Sequence, residues 1–324
     1  MLKTVSPIDN SILVERNFAT DSEIETVLQN AYDARKEWRE TSLRERKEII
    51  INFVKLFLSN DEEIIENLCK QIGRPIIQCP GEMRGFEERA NYMVDNADRA
   101  LGDLVSRKDS EFDNYIKKEP LGTIFVIAPW NYPFNTSVNS IVPSLLSGNT
   151  VILKHSSQTP LCAEQLFDAA TKASLPKNIF QFLHLDHSST SRVISDSRIN
   201  HVLFTGSVSG GKEVKKSIGT RFIGAGLELG GKDPAYVRSD CNLEHAIDNL
   251  VDGSYFNSGQ SCCGIERIYV DEKVYDKFID GFKSVTEKYI LGNPLEENTN
   301  LGPVVRINAA KFIRTQVREA LNDG

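Results

Sequence analysis

Between Asp21 and Gly102 the apolar side chains recur at the spacing of one face of a helix, whereas beyond Tyr115 they gather into short continuous runs. The first region reads as a layer of helices: DSEIETVLQNAYDARKEWRE, SLRERKEIIINFVKLFL, DEEIIENLCKQIG and GEMRGFEERANYMVDNADRALG. Thr41 and Ser42 supply a cap between the first two, Gly73 closes the third and Gly102 the fourth. The continuous runs read as strands buried on both faces: GTIFVIAP (Gly122 to Pro129), TVILK (Thr150 to Lys154), NIFQFLHL and HVLFTG.

Helical stretches separate these strands, so the expected fold is α/β, a parallel sheet built from βαβ units. In such sheets ligands bind outside the carboxyl ends of the strands. Those ends carry Pro129-Trp130-Asn131, Lys154 to Ser157 and Thr205-Gly206-Ser207, which are polar or aromatic where the strands are apolar. A second domain is expected after LELGGKDPAYV, with a helix in NLEHAIDNLVDGSYF, a strand at Ile265 to Val270 and a helix from Val274 to Tyr289. The strands after Cys263 are too few to close a second sheet.

Composition narrows the function. With 324 residues, 40% hydrophobic and 26% charged, the chain can bury a sizeable core. A net charge of -7 argues against a nucleic-acid surface, and the absence of a long apolar run argues against a membrane span. The expected location is the cytoplasm. The six cysteines form no C-x-x-C and share no zinc spacing with the five histidines, so free thiols and no metal are expected.

Chemistry concentrates at a few positions. Cys262 and Cys263, in YFNSGQSCCGIERIYV, follow a Gly-Gln turn whose backbone N–H groups would help a thiolate form. The competing reading is a pair of small core residues. Glu228, in AGLELGGKDP, is either a turn residue or a base whose flanking Leu227 and Leu229 partly desolvate it. FTGSVSGG (Phe204 to Gly211) ends a strand and opens a helix, where free N–H groups favour a phosphate, although many turns share that pattern.

Taken in order, APWNYP, LLSGNTVILKHSSQTP, FTGSVSGG, LELGGKDP and FNSGQSCCGIER resemble the successive motifs of the NAD(P)-dependent aldehyde dehydrogenases, from about Pro7 to the last residue. The resemblance implies a Rossmann-type cofactor domain over 1–229, carrying the helical layer and part of an oligomerisation arm near 111–121. It implies a catalytic domain over 230–324. Cys262 matches the nucleophile and Glu228 the base, while the side-chain amide of Asn131 and the Cys262 N–H match the oxyanion donors. Cys263 is expected to pack. Lys154 matches the ribose-binding lysine and Trp130 lies beside the nicotinamide end. Ser207 and its helix N-terminus match the pyrophosphate site, with Thr205, Gly206, Gly211 and Leu229 among the cofactor contacts.

Where many NAD-preferring members of that family have glutamate, this chain has Ser157, which removes a negative charge that would repel a 2′-phosphate. The cofactor expected is NAD or NADP, with NADP at least tolerated. The substrate implied is a small aldehyde, oxidised to a carboxylate, and the full-length family forms homo-oligomers. A coenzyme A-acylating branch commonly lacks the base, so Glu228 favours hydrolysis. A non-catalytic scaffold need not keep nucleophile and base together. The family's later Glu-x-Phe-Gly-Pro motif is not found, so the expectation is a C-terminally truncated member with an incomplete catalytic sheet, inactive alone.

Overall fold

The computed structural model describes residues 1–324. Two short strands, β1 (Leu2–Val5) and β2 (Ile12–Arg16), pair with each other ahead of the helical layer. That layer comprises α1 (Asp21–Glu40), α2 (Leu43–Leu58), α3 (Asp61–Ile72) and α4 (Pro80–Leu101). Thr20 opens α1 with a capping box, taking the Glu23 N–H while the Glu23 side chain returns to the Thr20 N–H. Ser42 caps α2 through the N–H of Glu45. Gly73 follows α3 at φ 75°, where a Cβ would be strained, and its N–H closes the helix on Cys69.

An antiparallel hairpin follows, β3 (Leu104–Lys108) with β4 (Asp113–Ile116), and every residue of both strands is exposed. The alternation then begins: β5 (Thr123–Ala128), α5 (Pro133–Leu146), β6 (Thr150–His155), α6 (Pro160–Lys172), β7 (Phe180–Phe182), α7 (His187–Ser195), β8 (Ile199–Gly206), α8 (Val208–Ile218) and β9 (Gly224–Leu229). The chain continues through β10 (Asp233–Val237), α9 (Leu243–Tyr255), β11 (Ile265–Val270), α10 (Tyr275–Thr286) and α11 (Ile307–Asp323).

These elements form two compact units. The first comprises Met1–Leu2, Glu15–Ile64 and Gly81–Glu228, and the second Lys3–Val14, Ile65–Pro80 and Leu229–Gly324. The first unit holds a five-stranded sheet in the order β7-β6-β5-β8-β9. β5 pairs in parallel with both β6 and β8, and β6 with β7. All six residues of β5 are buried, as a central strand between helical layers requires. Ile24, Leu28 and Ala31 of α1 join Phe125, Ile152, Val202 and Val214 in one core, so the α/β expectation holds. Register sets the site: Ile127 pairs with Lys154 on one side and Phe204 on the other, which aligns three strand ends.

In the second unit β10 and β11 run parallel, and Val237, Ile247, Val251 and Phe278 form a small core beneath α9 and α10. The segment LELGGKDPAYV, read as one stretch from sequence, divides into β9 and β10 at Gly230, which has φ 38°. β1, β2 and β3 carry no sequence expectation, because strands this short and largely exposed show little apolar patterning.

Candidate active site

The sheet ends of the first unit surround a cavity of about 430 Å³ lined by Lys154, Ser207, Ser209, Gly210, Thr190 and His187, among others. Ser207 caps α8, taking the Gly210 N–H at 3.1 Å. The first-turn N–H groups of α8 and the helix dipole give this end of the cavity affinity for negative charge. The glycines of FTGSVSGG have a specific cause. A Cβ on Gly206 would stand 2.7 Å from the Phe204 ring and one on Gly210 2.6 Å, so the tip of the ring reaches the turn only because both are glycine. Thr205 and Gly206 are half-buried at the end of β8, and Gly211 is buried in the first turn of α8. Burial lowers the Lys154 pKa from its ordinary value, and Ser157 is exposed in the loop that follows. A cationic side chain, hydroxyls and a helix N-terminus in a cavity of this size fit part of a nucleotide.

Trp130 and Asn131 lie half-buried in the turn between β5 and α5. Two residues not singled out from sequence hold this turn. Glu82, buried in α4, accepts the N–H groups of Phe134 at 3.0 Å and Asn135 at 2.9 Å, satisfying donors at the start of α5. His155 ends β6 with Nδ1 accepting the Ser156 N–H at 3.0 Å, while Nε2 lies 3.4 Å from the Pro133 carbonyl. Burial drives its pKa down to about 3, so the ring is neutral and Nε2 carries the hydrogen that faces Pro133. One imidazole thus ties the Lys154 loop to the first turn after Asn131. The available signal was a histidine closing an otherwise apolar strand; Glu82 had none, since it looks like any first-turn acid.

Cys262 lies in the second unit, in a loop braced before it. Asn257, Ser258 and Gly259 all have positive φ, 52°, 59° and 71°. The buried Asn257 accepts from Arg74 Nε at 3.2 Å and donates to the Gln260 carbonyl at 3.3 Å. Gln260 Nε2 donates to the Asn257 carbonyl at 2.9 Å, and Gln260 Oε1 accepts the Val305 N–H at 2.8 Å. Ser258 donates to the Gly302 carbonyl at 2.7 Å. A Cβ on Gly231 would overlap the Cys262 carbonyl, so the second glycine of LGGKDP is what lets that segment lie against the loop.

Three expectations about local environment need correction. Cys263 is exposed beside Ser261 Oγ at 3.2 Å, so it is not a packing residue. Glu228 is exposed at the end of β9 in the first unit, because Leu227 and Leu229 project to the opposite face of the strand and do not desolvate it. Leu229 itself is half-buried. The thiol of Cys262 is also not lowered toward the thiolate. Cys262 is exposed as a residue, but partial desolvation of its sulfur raises its pKa and the neighbouring Cys263 adds to this, outweighing the backbone N–H groups that pull the other way.

Comparison with known proteins accounts for the whole chain. The profile of the aldehyde dehydrogenase family matches residues 1–324. D-glyceraldehyde dehydrogenase (NADP(+)) of Picrophilus torridus is 30% identical over 100% of this chain, which spans 65% of that protein. Succinate semialdehyde dehydrogenase [NAD(P)+] Sad of Escherichia coli is 30% identical over 99% of the chain and 69% of its own length. The structure of succinic semialdehyde dehydrogenase from Streptococcus pyogenes with NADP+ superposes with a TM-score of 0.95 at 27% identity, covering 100% of this chain and 71% of that one. The chain thus spans about two thirds of the length of the relatives it matches. On the full-length profile match, the chain belongs to the aldehyde dehydrogenase family.

Proposed function

We propose that this chain carries the cofactor site, nucleophile and base of an NAD(P)-dependent oxidation of an aldehyde to a carboxylate. Lys154, Ser157 and the Ser207 helix terminus hold the dinucleotide, with Trp130 at the nicotinamide end. When bound, that cofactor supplies the hydride acceptor. The Cys262 sulfur forms a bond to the aldehyde carbon, and the Asn131 amide and Cys262 N–H donate to the oxygen as it gains negative charge. Losing one such donor costs about 3 kcal/mol of barrier. After oxidation the acyl group sits on Cys262 as a thioester. Glu228 takes a proton from water, the hydroxyl adds to the acyl carbon, and the carbon–sulfur bond breaks to release the carboxylic acid and a thiolate, which regains its proton as Glu228 gives up the one it took.

The observation that carries this reading is the approach of Gly231 to the Cys262 carbonyl, which seats the segment after Glu228 against the nucleophile loop. Exposure of Glu228 suits a base that must meet water. NADP is accepted because the position three after Lys154, where a glutamate would repel a 2′-phosphate, is Ser157, and relatives named for NADP use support the same choice. The exposed β3–β4 hairpin is the part of the chain offered to a second copy, and six free thiols suit a reducing cytoplasm.

The test is to incubate the 324-residue chain and its Glu228→Gln variant with an aldehyde and NADP, then locate added mass by peptide mapping. Any acyl group formed in a single turnover should sit on Cys262, and it should persist longer in the variant than in the parent. Acylation spread over other cysteines, or none on Cys262 in either protein, overturns the assignment.

A further inference from the structure

Far along the sequence from these site residues, Arg46 is a buried cation with no anion. Its residue is 9% exposed, its Nη1 donates to the Trp38 carbonyl at 3.3 Å, and its Nε has no acceptor. Burial without a carboxylate lowers its pKa from the ordinary arginine value. A guanidinium in this position would normally be paired, since an uncompensated buried charge is costly. Gly148, at φ 82°, leaves the space that Arg46 fills: a Cβ there would stand 2.6 Å from Nη1.

Arg46 lines a cavity of about 260 Å³ together with Arg39, Glu40, Lys117, Lys118 and Glu119. Four cationic side chains therefore face two carboxylates. Glu119 is already shared, 2.7 Å from Arg39 Nη2 and 2.9 Å from Lys117 Nζ. Lys118 donates only to the Ala100 carbonyl, at 2.6 Å. Glu40 ends α1 and is exposed, and no ion pair joins it to Arg46. Cationic groups thus line a pocket whose most buried member has no anionic partner.

From this geometry we propose that the pocket between α1, α2 and the segment after β4 binds a small tetrahedral oxyanion, phosphate or sulfate, with the Arg46 guanidinium as its innermost cation and Lys117 and Lys118 at its mouth. An arginine N–H and two ammonium groups match the charge and acceptor geometry of such an anion. The site does not depend on the oxidation proposed above.

The test reads Arg46 directly. In the full chain labelled with 15N-arginine, the Arg46 Nε–Hε resonance is assigned by its loss in Arg46→Lys, and inorganic phosphate is titrated at ionic strength held constant with chloride. No nucleotide is added, since its phosphates would compete for the pocket, and the Arg46 signal reports this pocket whatever phosphate does at the Ser207 turn. The resonance should move saturably with phosphate, and the Lys117→Gln, Lys118→Gln double variant, changed only at exposed positions, should weaken binding by about fivefold or more. A resonance that does not move, moves equally with chloride, or titrates identically in the double variant overturns the site. Should Arg46→Lys not fold, its signal is assigned by through-bond correlation and the same outcomes apply.

Discussion

Arg74 Nε donates to the side-chain oxygen of Asn257 at 3.2 Å, and both residues are buried. This bond lets a residue with φ 52° persist in the loop ahead of Cys262, because the amide is held from both ends, by Arg74 and by the Gln260 carbonyl. Asn257→Ala loses the acceptor and leaves a buried guanidinium N–H short of a partner, at a cost of about 2 kcal/mol. It also removes the residue type that tolerates left-handed backbone. The expected result is a lower midpoint in urea and slower, heterogeneous alkylation of Cys262. Unchanged stability would show that the loop is held by other contacts.

The raised pKa of Cys262 makes a kinetic prediction. Only the thiolate reacts, so its fraction at neutral pH is below that of an ordinary cysteine, whose pKa is about 8.5. The rate of iodoacetamide labelling should therefore keep rising with pH past the range in which a free thiol levels off. Cys263→Ala removes a raising influence and should bring the Cys262 inflection down. If binding NADP also moves the inflection down, the bound cofactor supplies the field that the protein alone does not. A labelling curve that levels off below the ordinary range contradicts the placement of the thiol.

Gly210→Ala should disturb the nucleotide cavity by steric means alone. The new methyl would meet the Phe204 ring at 2.6 Å, forcing the ring off the turn at a cost of about 1–3 kcal/mol. Weaker NADP binding in an otherwise folded chain is the expected outcome by isothermal titration. The double variant with Phe204→Leu, which clears the ring, should recover part of that loss. Failure of the second substitution to help would point away from the ring.

The parallel sheet was legible in the sequence because GTIFVIAP and TVILK are apolar without alternation, a pattern that only a strand covered on both faces sustains. The start of α8 was legible because FTGSVSGG ends an apolar strand and runs into helix-forming residues; that Ser207 caps this helix is a finding of the structure. The bracing of the site was not legible. Arg74 and Asn257 are separated by 183 positions, so nothing local marks their bond. Glu82 and His155 act through backbone groups of α5, and a sequence does not show which backbone a buried side chain will reach. The environment of Glu228 was misjudged because adjacent residues on a strand point to opposite faces, so leucine neighbours say little about burial, and that of Cys263 because it lies in an exposed turn ahead of β11.

His155 should make the chain sensitive to mild acid. Its pKa is about 3 in the folded state, because burial excludes the charged ring, whereas in the unfolded chain it is near 6.5. Above pH 6.5 neither state is protonated and the group contributes no pH dependence. As pH falls below that value the unfolded state binds a proton that the folded state refuses, so stability is lost between about pH 6.5 and pH 3. At pH 5 the loss from this one group is about 2 kcal/mol. His155→Gln cannot take up that proton, and its longer amide can still donate toward the Pro133 carbonyl. Urea unfolding of both proteins at pH 7 and pH 5 should therefore show a smaller drop for the variant, whatever its stability at pH 7. Equal drops would mean that His155 is protonated in the folded chain, and that the Lys154 loop and the first turn of α5 are not joined through a neutral ring.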